Sequence, residues 1–98
     1  MVFEFESVLI EWRGPAPFVF APISEEESAA IKAFAKKASY GWGCIPVVAR
    51  IGATEFTTSI MPKDGRFLLP VKMAVQKSEK IGIGDRVQAH MNIKIGWS

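Results

Sequence analysis

The residues of this sequence that could do chemistry are cations and aromatics rather than nucleophiles. Lys72 follows Pro70 at the start of an expected helix, and a cation in a first helical turn is disfavoured by about 0.3–1 kcal/mol. Free amides at a helix N-terminus together with an ammonium make an anion site, and Arg66, just upstream, extends it. The plainer reading sends Lys72 into water or to a carboxylate elsewhere. Trp42 lies between Gly41 and Gly43 and follows Tyr40. Glycines let a backbone approach a ligand closely, and the aromatic pair offers a stacking platform. The same indole serves equally well as a plug at one end of a barrel. Trp12 and Arg13, before a proline turn, carry the same two readings. The candidate ligand-binding residues are therefore Lys72, Arg66, Trp42, Tyr40 and Arg13.

Other residue types point away from catalysis. One histidine and one cysteine cannot supply a Cys/His zinc site of the usual spacing. His90 falls among the outward positions of the last expected strand, and Cys44 reads as a small apolar filler. Gly41-Trp42-Gly43 and Gly82-Ile83-Gly84 each lack the third glycine of a dinucleotide-binding loop. Glu25, Glu26 and Glu27 suit the positive end of a helix dipole, and Asp85 suits tying down its own turn. No nucleophile–base pair is visible, so neither a catalytic residue nor a cofactor or metal is expected.

The elements that position these residues follow from pattern. Phe3 and Phe5 alternate with Glu4 and Glu6, the period of a half-buried strand over Val2–Trp12. Gly14-Pro15-Ala16-Pro17 breaks it, and Phe18–Ile23 returns. Ser24 with Glu27 forms a capping box for a helix running to about Ala38, with Ala30, Ile31, Phe34, Ala35 and Ala38 on its buried face. Strands are expected at Cys44–Ile51, Thr54–Met61 and Arg66–Leu69, separated by turns at Gly52-Ala53 and Pro62–Gly65. Pro70 fits the first position of a second helix reaching about Lys80, with Ala74, Val75 and Ser78 on one face. The last strand alternates Val87, Ala89, Met91, Ile93 and Ile95 with Gln88, His90, Asn92 and Lys94.

This order is strand, strand, helix, strand, and then the same again. It predicts a mostly β single domain, a six-stranded small β-barrel with two short α-helices and an internal pseudo-twofold repeat. A closed barrel hides strand edges that invite aggregation. The 98 residues suffice for one domain, and 49% hydrophobic residues, with seven Phe, three Trp and four Met, supply its core. A net charge of +2 announces neither a nucleic-acid nor a membrane partner. The acidic N-terminus lacks the pattern of a signal peptide, no apolar run reaches the roughly 20 residues of a membrane span, and a cytoplasmic location is expected.

Three longer stretches carry a resemblance. Gly41-Trp42-Gly43-Cys44-Ile45-Pro46-Val47, then Ile51-Gly52 with Thr54, Phe56 and Thr58-Ser59, then Gly65-Arg66-Phe67-Leu68-Leu69-Pro70-Val71-Lys72 with Ala74-Val75, resemble the bacterial family known as domain of unknown function 1905. The resemblance covers nearly the whole chain and implies a small barrel without an established activity. In that family a segment linked to bacteriocin protection or porins often follows the domain; with Ser98 as the last residue, that segment is not expected here. Arg66–Val87 is also similar in pattern to the swapped-hairpin barrels of AbrB-like regulators and antitoxins, which are DNA-binding dimers. Three functions stay open: a binding module for a small anionic or aromatic ligand, a nucleic-acid binder needing Arg50, Arg66, Lys72, Lys77 and Arg86 on one face, and a structural or protein-interaction domain. The first leads.

Overall fold

The computed structural model describes residues 2–13, 17–37 and 45–93, with the side chains of residues 12, 13, 17 and 35–37 outside that description. The chain runs β1 (Val2–Val8), β2 (Ile10–Arg13), β3 (Pro17–Pro22), α1 (Glu25–Lys37), β4 (Ile45–Ile51), β5 (Thr54–Lys63), β6 (Arg66–Pro70), α2 (Met73–Glu79) and β7 (Arg86–Ile93). The strands pair in the order β1-β7-β4-β5-β6-β3-β2, antiparallel at every step. The two ends of this order are β1 and β2, the two halves of one chain segment joined at Leu9. The sheet thereby curls into a small β-barrel-like fold, mostly β as its alternation implies.

Among the described residues, seven strands replace the six expected because Val2–Trp12 bends at Leu9. The Leu9 N–H donates to Asp85 O and its carbonyl accepts from the Gly84 N–H, both at 2.9 Å. Its side chain is buried, which at roughly 1.5–3 kcal/mol for a full Leu holds the bend in place. Beside it, the buried Ser7 Oγ donates to Pro22 O at 2.7 Å, linking β1 to β3 across the seam.

The predicted repeat is visible in the bonding. The Ile23 N–H donates to Phe67 O and the Val71 N–H donates to Val19 O, both at 2.9 Å, each bond the image of the other about the Ala21–Leu69 pair. Ser28 Oγ donates to Ile23 O (3.3 Å) and Gln76 Nε2 donates to Val71 O (3.0 Å), the same tie early in each helix. Across the opposite face a cross-strand row reads Glu4, His90, Arg50, Glu55, with the local axis between the two basic residues. Phe5 then corresponds to Phe56, Val47 to Val87, Ala49 to Ala89 and Pro22 to Pro70.

Several local expectations shift. Pro62 and Lys63 belong to β5 rather than to a turn, and the hairpin closes on Asp64 (φ 52°) and Gly65 (φ 79°) alone, both left-handed as a tight primed hairpin turn requires. Pro70 ends β6 and does not start α2, whose first residue is Met73. On α1, Ile31 is buried and Phe34 half-buried, but Ala30 is exposed and Ser28 is buried instead. On α2 only Val75 is buried, while Ala74 and Ser78 are exposed. A short helix meets the barrel along too narrow a line to bury a full amphipathic face. Ala38, Cys44, Lys94 and Ile95 lie outside the described residues. On β7 the inward positions Val87, Ala89, Met91 and Ile93 are all buried as expected.

Candidate functional site

Where β3 begins and β6 ends, inward-facing residues reach solvent. Val19 packs against the core, and Thr58 stands opposite the buried Val47, between the buried Phe56 and Ile60. Both are only half-buried. With Val71 they floor a cleft of about 440 Å³ whose rim is Phe18, Pro70, Lys72, Met73 and Gln76. Phe18 is 55% exposed and Met73 62%. Among the described residues that line this cleft, Lys72 is the one that carries a charge.

The repeat supplies an internal comparison. The residues corresponding to Val19, Thr58, Val71 and Gln76 are Phe67, Ser7, Ile23 and Ser28, and all four are buried. There the larger Phe67 ring is buried in the core at the position that corresponds to the half-buried Val19, and Ser28 Oγ also accepts from the Phe67 N–H at 3.0 Å. The longer helix α1 adds Ile31 to that end of the core. One end of the barrel is thus filled and its counterpart is open.

The helix caps differ in the same sense. Ser24 Oγ accepts from the Glu27 N–H at 3.2 Å, the hydroxyl half of the expected capping box. The corresponding residue ahead of α2 is Lys72, whose backbone (φ −65°, ψ 152°) has cap geometry but whose side chain makes no cap hydrogen bond. Its carbonyl accepts from the Val75 and Gln76 N–H groups at 3.0 Å, and its exposed ammonium is left at the cleft rim. The first turn of α2 holds no carboxylate. Lys72 stands at the N-cap rather than in the first turn where the sequence pattern put it, ahead of a helix of only seven residues.

Arg66 is not in this cleft. It lies at the other end of β6, and a strand advances about 3.3 Å per residue, so an extended segment holds Arg66 and Lys72 apart. Arg66 Nε donates to Ile23 O at 3.1 Å and lines a separate cleft. Arg13 pairs with Pro17 at the end of β2, with its side chain outside the description. Trp42 and Tyr40 lie outside the described residues. The remaining basic residues take other places: Arg86 Nη1 bonds Glu6 Oε1 at 2.8 Å, Arg50 sits cross-strand from Glu55, and Lys77 is in the last turn of α2. His90 is half-buried, its Nδ1 3.2 Å from Glu4 Oε1. Asp85 does tie its turn, accepting from the Gly82 N–H at 2.8 Å.

Sequence reasoning missed Phe18, Thr58, Met73 and Gln76 as lining residues. Phe18 carried a signal, being the aromatic that opens a strand beside a turn. Thr58 carried none, because alternation gives its face but not its position along the barrel axis.

The sequence profile of the family described as "Domain of unknown function (DUF1905)" matches residues 5–91. The chain belongs to that family. No curated protein matches it. The family's description assigns no activity, so the function has to be read from the site. The matched span includes every described residue of the open end. No helix among the described residues is long and apolar enough to cross a membrane.

Proposed function

We propose that this DUF1905 domain is a non-catalytic binding module for a small amphipathic anion, held at the open end of the barrel. Lys72 neutralises the charge, while Phe18 and Met73 cover the flat apolar body above Val19 and Val71. Pockets of this size, mostly apolar with a few polar groups, are the common form of small-molecule sites. The observation that carries the reading is the broken repeat: among the described residues, this end has Val19 where its counterpart has Phe67, and Lys72 where its counterpart has the capping Ser24.

The test is titration of the protein with 2-naphthoate and with its neutral alcohol, followed by amide chemical shifts. Saturable shifts at Val19, Thr58, Val71 and Gln76 are expected with the carboxylate. Lys72→Ala should weaken that binding about tenfold or more, as a charge-assisted contact of roughly 1.5–3 kcal/mol is lost. Equal binding of acid and alcohol, or shifts confined to other surfaces, would defeat the reading. Binding of mixed-sequence DNA that falls steeply with salt would instead favour a nucleic-acid partner.

A further inference from the structure

The second cleft, of about 380 Å³, opens on the outer surface at the opposite end of β6. Its floor is Ile10, Pro22 and Leu68, and among the described residues Glu11, Lys63, Asp64 and Arg66 stand around it. Outer positions of a small barrel ordinarily face water, yet Leu68 is 5% exposed and its neighbour Phe20 2%. The floor is therefore apolar on the face where polar residues are the rule.

Arg66 is half-buried at the edge of that floor. Its Nε–H is committed to Ile23 O, which sets the plane of the guanidinium. A guanidinium carries five N–H donors in a rigid fork that suits a carboxylate, and its Nη groups have no acceptor among the described residues. Asp64 projects from the tight turn between β5 and β6, where it and Gly65 are the two turn residues. Glu11 and Lys63, which also line the cleft, already have interactions of their own; Arg66, Asp64 and the apolar floor of the same cleft are the three complements of an α-amino acid with an aliphatic side chain.

We infer that this cleft binds a free zwitterionic amino acid. Its carboxylate meets the Arg66 Nη groups, its ammonium meets Asp64, and its side chain lies on Ile10, Pro22 and Leu68. The site is independent of the Lys72 end, whose described lining carries a single sign of charge.

L-leucine, N-acetyl-L-leucine and L-leucinamide, titrated into the full chain and followed by amide shifts, separate the two charged contacts. L-leucine should move the Asp64, Gly65, Arg66 and Leu68 signals saturably, and each blocked analogue should bind at least about tenfold more weakly. Asp64→Ala, at an exposed turn position, should reduce leucine binding by a similar factor while leaving the fold signals in place. Arg66→Lys should weaken it as well, because an ammonium cannot reproduce the fork. No saturable shift with leucine, or N-acetyl-leucine binding as tightly as leucine, would overturn the proposal. Loss of leucine binding in Lys72→Ala with no effect of Asp64→Ala would also overturn it, by moving the amino acid to the open end.

Discussion

Gly52 and Gly65 occupy similar turns and carry different constraints. Both have positive φ, 60° and 79°. At Gly65 an added Cβ meets nothing within 4 Å, whereas at Gly52 it would overlap the Glu79 carboxylate. That carboxylate accepts from Thr54 Oγ1, and Ser78 Oγ is hydrogen-bonded to the same hydroxyl at 2.8 Å, so the end of α2 is tied to the start of β5. Gly65→Ala should cost about 1–2 kcal/mol of backbone strain. Gly52→Ala should cost more, since Glu79 must leave Thr54 as well. Urea titrations of the two variants check this, and equal losses would show that the Glu79 tie contributes nothing to stability.

Among the elements, the helices express the division between structure and binding. α1 is capped by Ser24 and covers a filled end, while α2 has two turns and Lys72 at its cap. A position with cap geometry occupied by a residue that cannot cap gives up roughly 0.5–2 kcal/mol relative to Ser, Thr, Asn or Asp. Lys72→Asp should therefore raise the midpoint of urea unfolding and, in the same protein, abolish 2-naphthoate binding. Greater stability with binding intact would make Lys72 a solvated surface residue. Lower stability would mean that the ammonium has a structural partner.

For the whole molecule, the two halves of the repeat are interleaved. β1 pairs with β7, β7 with β4, and β3 with β6, so neither half closes a core without the other. Unfolding should therefore be one cooperative event. Far-ultraviolet circular dichroism and aromatic fluorescence should give superimposable urea transitions, and separated midpoints would show that one half folds on its own. These pairings join residues far apart in sequence, so refolding should be slow for a chain of this length, in the millisecond-to-second range of non-local β topologies.

Alternation along β1, β4 and β7 and the capping box at Ser24 determined the strands, the first helix and the doubling of the pattern, because these signals are local and depend only on which face of an element meets the core. The sequence also marked Lys72, through the contrast between its charge and the three glutamates of α1. Only the tertiary structure decided the bend at Leu9, which rests on bonds to Gly84 and Asp85 from the other end of the chain. It likewise separated Arg66 from Lys72, neighbours in sequence that an extended strand sends to opposite ends of the barrel. The open end itself depends on Val19 standing where the repeat has Phe67, a difference in side-chain volume that acquires meaning only when the two halves are folded against each other and close packing shows which space is filled.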